Sequence, residues 1–404
     1  MKVSAETQMC VPYHRSSLGP EEIEEVVKTL ESGWLTTGPR TAQFEHEFAA
    51  SVASAPYAQA VSSCTAGLHL SLAALGIGPG MEVITTPLTF CATINVILHV
   101  GATPVLADIG PDGNIDPESV RSRITARTRA IIPVHLCGLP CDMDEIWSMA
   151  RQFGLSVIED CAHAAGAHYH GLPIGAGDPT SGKCSDACVF SFYATKNLTT
   201  GEGGMITTHR AEFAQTVKTL CLHGISKNAW NRYSDKGSWY YEVLQPGFKY
   251  NLTDLQSALG IHQSRKLEGF IRTRAEYARF YNERFAGIQE LEIPADHTDC
   301  RHAWHLYALR LNLEHLAINR AEFIEQLQAR GVGTSVHFIP IPLHPAYKAM
   351  AARPENQCPA ALNLYPRLIS LPLYPAMTAE QLEYVAESVV EVAAQARKTQ
   401  MVFA

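Results

Sequence analysis

No run in this 404-residue chain is both long and apolar enough to cross a bilayer, so no membrane span is expected. Positive charge is in short supply too. Thirty-two Lys and Arg stand against 40 Asp and Glu, for a formal net charge of −8, and no basic run is dense enough to follow a phosphate backbone. Nucleic acid is therefore an unsuitable partner and a small molecule a suitable one. The N-terminus MKVSAETQMCVPYHRSS lacks the apolar core of a secretory signal, which makes the cytoplasm the expected location. No G-x-G-x-x-G follows the first apolar run, which sets aside a Rossmann oxidoreductase. Internal repeats and low-complexity segments are absent as well.

What is present begins with 11 cysteines, scattered and odd in number, which fit reduced thiols better than a disulfide framework. Cys137 with Cys141 and Cys184 with Cys188 are spaced more widely than a zinc knuckle, and no metal is expected at either pair. The length exceeds what one compact core usually holds and points to a large and a small unit. Apolar runs at AQAVSS, EVITTP, TPVLADI, RAIIPVHL, LSVIED, ACVFSFY and GGMITT alternate with helical patterns, predicting an α/β fold around a mainly parallel seven-stranded sheet. PEEIEEVVKTLESG reads as a helix opened by Pro20. A long helix starts at a cap on Asn251 or Thr253 and carries the boundary, giving a large unit over 1–262 and a small α+β unit over 263–404. The first fifteen or so residues are expected against the small unit. In that unit HAWHLYALRL and GTSVHF read as strands, and NRAEFIEQLQARG and TAEQLEYVAESVVEVAAQARK as helices.

In a parallel sheet, ligands gather beyond the carboxyl ends of the strands, where helix N-termini also point. Four segments fall there. SSCTAG offers the Thr65 hydroxyl and the N–H groups of a starting helix, which suit a phosphate, though a plain helix cap explains them equally. VIEDCAHAAGA delivers Asp160 to a strand end with His163 three residues on; singly, these read as a capping carboxylate and a core imidazole. FSFYATK turns Phe190 and Phe192 to one face and Ser191 to the other, towards Lys196. FKYNLTD sets Asn251 beside the long helix. An amine for a carbonyl, an acid for a ring nitrogen, and hydroxyls with helix N–H groups for a phosphate are together what pyridoxal phosphate needs.

At this point the sequence resembles the DegT/DnrJ/EryC1/StrS sugar aminotransferases, a family of fold-type I pyridoxal-phosphate enzymes. SGWLTTGPRTAQFE, VIEDCAHAAGAHYHGLPIG, FSFYATKNLTTGEGG, PGFKYNLTDLQSALG and ISLPLYP occur in the family's order and span nearly the whole chain. HAWHLY and GVGTSVHF are most similar to the branch acting on UDP-linked 4-keto sugars, including the UDP-4-amino-4-deoxy-L-arabinose type. The resemblance implies Lys196 as the Schiff-base lysine, Asp160 as the partner of the pyridine nitrogen, and His163 beside the ring. It implies Thr65, Ala66 and Ser191 as phosphate ligands, Phe90 as a ring-stacking residue where the alternative is a core phenylalanine, and Asn251 as a phosphate contact crossing to the other subunit of a homodimer. Trp34, Thr37, His305 and His337 are implied substrate contacts.

The reaction so implied moves an amino group from glutamate, leaving 2-oxoglutarate, to a nucleotide-linked keto sugar through pyridoxamine phosphate, in amino-sugar and cell-surface polysaccharide synthesis. UDP and C4 are favoured over dTDP- or GDP-linked sugars. A pyridoxal-phosphate-binding regulator without turnover is the distant alternative. Two departures from the family stand out: Cys64, and a longer segment GAGDPTSGKCSDAC, which is expected to alter loops near the substrate.

Overall fold

The computed structural model describes residues 9–225, 240–350 and 358–398. The seven apolar runs form strands β1 (Tyr57–Val61), β2 (Glu82–Thr85), β3 (Thr103–Leu106), β4 (Thr128–Ile132), β5 (Ser156–Cys161), β8 (Ala187–Ser191) and β9 (Gly204–Thr208), with a short hairpin of β6 (His168–Tyr169) and β7 (Leu172–Pro173) between β5 and β8. They assemble into one sheet in the order β1-β9-β8-β5-β4-β2-β3. β9 alone runs against its neighbours, so the sheet is mainly parallel.

Helices cover both faces, which is why these strands are apolar almost throughout. Leu68, Leu70 and Leu72 of α3 (Cys64–Ala74) pack on one side with Ile132, Ile158 and Val189. Gly67 lets that helix lie close, since a Cβ there would stand 2.5 Å from a methyl of Val189. On the other side Phe48 of α2 (Pro39–Phe48) meets Phe190 and Phe192 edge-on, and Phe44 meets Phe192 at a tilt. The ends of the helices carry their own signals. α1 (Pro20–Glu31) starts on a proline, and Glu22 reaches back to the Gly19 N–H at 2.8 Å. α4 (Cys91–His99) follows β2.

The long helix Asp254–Phe285 is capped by a reciprocal Thr253–Gln256 box. Ile261, Leu267 and Ile271 of this helix join the core beneath the large sheet, whereas Ala278, Tyr281 and Phe285 join a second core with Tyr307, Phe323, Ile369 and Val389. Val11 belongs to the second core and pairs with Val332. That core backs an antiparallel sheet of Leu291–Glu292, Tyr307–Leu311 and Leu368–Leu371, covered by helices Arg320–Ala329 and Ala379–Gln395.

Two expected strands are shorter than their pattern implies. HAWHLYALRL becomes strand only from Tyr307, because Trp304 adopts φ 45° and the carbonyls of Trp304 and His305 accept from the buried Arg274 guanidinium (both 3.2 Å) instead of a neighbouring strand. GTSVHF reduces to one bridge, Ser335 with Ser370, beyond which His337 and Phe338 turn to a cavity.

Candidate active site

A cavity of about 540 Å³ opens beyond the carboxyl ends of β1, β2, β4, β5 and β8, where the architecture leaves strand ends and helix starts facing one space. Lys196, Asp160, His163, Thr65, Ser191, Phe90, His305 and His337 all line it. Residues more than a hundred positions apart are thus gathered by sheet order.

Lys196 enters on the turn after β8. His14 Nε2 and Ser16 Oγ both bond the carbonyl of Ala194, at 3.0 and 2.9 Å, and so tie the N-terminal segment to that turn. Burial brings the Lys196 amine down to about 8 from 10.5, against the opposing pull of Cys64, Asp160 and Cys137. Opposite it, Asp160 is the penultimate residue of β5. Burial pushes its carboxyl up, while the Ala162 N–H at 3.2 Å and the Thr93 hydroxyl at 2.9 Å favour the charged form. A cationic ring nitrogen opposite would act in the same direction as those two bonds.

At the start of α3, Thr65 faces the cavity and Ser63 caps the helix by accepting from the Ala66 N–H at 3.0 Å. Ala66 itself is buried and off the wall. Gly204 admits the close packing here, since a Cβ would lie 2.7 Å from the Cys64 nitrogen. Phe90 is 61% exposed, with its ring 6.0 Å from Phe338; it is a wall residue, so the core-phenylalanine alternative falls away. His163 accepts from the Cys137 N–H at Nδ1 (3.2 Å), and its ring lies 4.4 Å from that of His305. Burial holds both imidazoles well below their usual range. His337 bonds Ser370 Oγ at 2.8 Å and is lowered to about 4, again by burial first.

Trp34, Thr37 and Asn251 form a group of their own away from this wall. Trp34 Nε1 donates to the Thr37 carbonyl at 3.1 Å, the Thr37 hydroxyl to the Leu252 carbonyl at 2.5 Å, and Asn251 Nδ2 to the Thr37 hydroxyl at 2.7 Å, while Lys249 bonds Asn251 Oδ1. The GAGDPTSGKCSDAC segment is also elsewhere. It helps line a separate 230 Å³ cavity with Glu159, so its expected effect on loops beside the substrate is not seen: none of its residues reaches the Lys196 cavity. Glu159 and Asp160 are adjacent on a strand and therefore face opposite ways.

Wall residues missed by the sequence reading include Tyr13, His14, Thr93, Tyr193 and Glu202. Thr93 had a usable signal, being one helical turn beyond Phe90; Tyr13 had none. All 11 cysteines are free. Among the described residues the one cluster with metal-ligand proximity is His135, Glu159 and Cys161, which neither Cys pair contains. Its groups are mutually satisfied. His135 Nδ1 accepts from the Cys141 N–H, its Nε2 is 2.9 Å from Glu159 Oε2, and Ser185 donates to Glu159 Oε1.

The donors on the main wall fit pyridoxal phosphate: one half-buried amine, one buried carboxylate, and a helix start with hydroxyls, in a space of suitable size. The profile of the DegT/DnrJ/EryC1/StrS aminotransferase family matches residues 16–390. The chain belongs to this family. It is a pyridoxal-phosphate-dependent sugar aminotransferase of fold type I. This aminotransferase is 50% identical over 384 residues to the spore coat polysaccharide biosynthesis protein SpsC of Bacillus subtilis, covering 95% of this chain and 97% of that one. Among solved structures, Spr1654 from Streptococcus pneumoniae in its PMP form is 33% identical with a TM-score of 0.87, over 96% of this chain and 100% of that one. PseC of Helicobacter pylori, an aminotransferase involved in pseudaminic acid biosynthesis, is 29% identical with a TM-score of 0.86, over 96% and 100%. Among the described residues no helix is long and apolar enough to cross a membrane.

Proposed function

We propose that this sugar aminotransferase takes its amino group from glutamate and delivers it to C4 of a UDP-linked 4-keto sugar. The observation that carries the reading is the placing of the half-buried Lys196 amine in one cavity with Asp160 and the α3 start. Bound pyridoxal phosphate supplies the electron sink for charge on a substrate carbon. Lys196 would anchor the cofactor and, once free, move a proton at Nζ, a task suited to an amine brought to about 8. Asp160, oriented by Thr93 and Ala162, would face the ring nitrogen. Thr65, Ser191 and the first turn of α3, which includes Ala66, would hold the phosphate; Phe90 and His163 would flank the ring.

The choice of a UDP-linked 4-keto sugar rests on HAWHLY and GVGTSVHF, whose His305 and His337 stand on the cavity wall. Trp34, Thr37 and Asn251, off the wall of their own chain, would serve the site of a second copy in a homodimer. A cytoplasmic location accords with eleven free thiols. We further propose that the division between the large and small units falls within the long helix Asp254–Phe285, which contributes to both cores. The test is incubation with glutamate and, separately, UDP-, dTDP- and GDP-linked 4-keto sugars, with the amino product identified by mass and NMR. A 4-amino UDP sugar is the expected product. Turnover confined to a dTDP or GDP sugar would reassign the acceptor, and turnover with another amino donor but not glutamate would reassign the donor.

A further inference from the structure

His163 and His305 are more closely defined than two buried imidazoles need be. The proton of each can be placed from its neighbours. His163 Nδ1 accepts from the Cys137 N–H at 3.2 Å, so its own proton sits on Nε2. The His305 proton is placed by Asn197, the residue immediately after Lys196. Asn197 Nδ2 donates to the Ala303 carbonyl at 2.9 Å and to the Ala165 carbonyl at 3.4 Å, which fixes the way the amide is turned. Its Oδ1, an acceptor only, is 3.1 Å from His305 Nδ1. The His305 proton is therefore on Nδ1, and Nε2 carries a lone pair.

The two rings stand 4.4 Å apart, tilted by 43°, on the wall of the Lys196 cavity. Neither Nε2 has a hydrogen-bonding partner among the described residues. One ring offers an N–H and the other a lone pair. A hydroxyl group is the common group that satisfies both at once, accepting from His163 and donating to His305. Arg274 braces the arrangement from behind by donating to the Trp304, His305 and Leu373 carbonyls. Burial first, and the nearby Lys196 charge for both rings, favour the neutral form of each and so preserve the pairing of one donor with one acceptor.

We propose that Asn197 is a positioning residue that locks His305 in its Nδ1–H form, and that His163 and His305 together read one hydroxyl group of a ligand bound beside Lys196. The proposal rests on the reading of this cavity as the cofactor and sugar site. Two sources supply such a hydroxyl: the phenolic oxygen of the cofactor and a ring hydroxyl of the sugar.

The first test is independent of turnover. In long-range 1H–15N spectra of 15N-histidine-labelled holoenzyme, assigned with His163→Asn and His305→Asn, His163 is expected as the Nε2–H tautomer and His305 as the Nδ1–H tautomer. Asn197→Ala should turn His305 into a tautomer mixture. A His305 proton on Nε2 in the unsubstituted protein, or an unchanged tautomer in Asn197→Ala, overturns the lock. Should Asn197→Ala not fold, the unsubstituted spectrum still decides.

The second test compares affinities for pyridoxal phosphate against 3-deoxypyridoxal phosphate, and for a UDP-linked 4-keto pentose against its 2-deoxy and 3-deoxy analogues. One hydroxylated member should bind about tenfold better, the worth of one hydrogen bond, and His305→Ala should erase that preference. Loss of preference in the cofactor pair assigns the phenolic oxygen, and loss in a sugar pair assigns the sugar. Equal preferences before and after substitution in every pair overturn the hydroxyl reading. Because the spectra require no reaction, they stand or fall separately from the identity of donor and acceptor.

Discussion

The Thr93 hydroxyl donates to Oδ2 of Asp160 at 2.9 Å, from a helix that follows one strand to a carboxylate near the end of another. Thr93 is fully buried and is itself bonded to the Thr89 hydroxyl at 2.9 Å, so its own orientation is constrained. Burial drives the Asp160 carboxyl towards its neutral form, and this hydrogen bond opposes that drift.

Thr93→Val, similar in shape, should therefore raise the Asp160 pKa further and leave less of the carboxylate to face a ring nitrogen. We expect kcat to fall about tenfold, as for loss of a hydrogen bond to a charged group, with circular dichroism unchanged. Asp160→Asn should fall much further with the fold retained. Near-normal turnover in Asp160→Asn would remove its assigned role.

Lys196 gives a pH prediction whose sign follows from burial. The amine is lowered from 10.5 to about 8, so the uncharged, nucleophilic form accumulates at lower pH than on an exposed lysine. In cofactor-free protein, the rate of covalent capture of pyridoxal phosphate, followed by its visible absorbance, should rise with pH through about 8 and level off above it. Borohydride should then fix the adduct on Lys196, and Lys196→Ala should show neither adduct nor transamination. A rate still climbing steeply beyond pH 10, or an adduct on another lysine, would contradict the assignment.

The seven strands of the large sheet were legible because helices bury both faces, leaving short, nearly continuous apolar runs with turn residues between them. Asp160 stood out near the end of such a run and Lys196 on the turn that follows one. What escaped the sequence was pairing across distance. Nothing in the chain shows that Thr93 meets Asp160 or that Asn197 meets His305, since both contacts depend on strand order and on the approach of the 302–306 segment. HAWHLYALRL shows the limit of pattern: the apolar-rich run extends from Ala303 onward, but the strand begins only at Tyr307, past the two carbonyls that Arg274 claims.

The buried His135–Glu159–Ser185 cluster should behave as structure, not as a metal centre. Glu159 accepts from both neighbours, and Trp147 Nε1 donates to Ser185 Oγ at 2.9 Å, extending the chain of satisfied groups. Glu159→Ala leaves two interior donors without an acceptor and should cost about 3 kcal/mol of stability, read from denaturant unfolding of the protein. Dialysis against a chelator should leave melting and turnover unchanged. Loss of stability on chelation, restored by a divalent cation, would show that His135, Glu159 and Cys161 hold a metal after all.

The last prediction concerns where Asn251 acts. It is bonded to Thr37 and Lys249 and lies off the cavity wall of its own chain, while a shared site would bring it to the phosphate of a second copy. Asn251→Ala and Lys196→Ala chains should each be impaired alone. In a mixed dimer with crossed contributions, one site receives Lys196 from the first chain and Asn251 from the second, so that site is intact and activity returns to as much as about half per dimer, by simple site counting. If each chain completes its own site, every site in the mixture keeps one defect and nothing is regained. Subunit exchange is first verified with two differently tagged chains. Recovery then establishes the crossed site, whereas continued inactivity of verified mixed dimers confines Asn251 to its own chain and leaves the aminotransferase chemistry of Lys196 untouched.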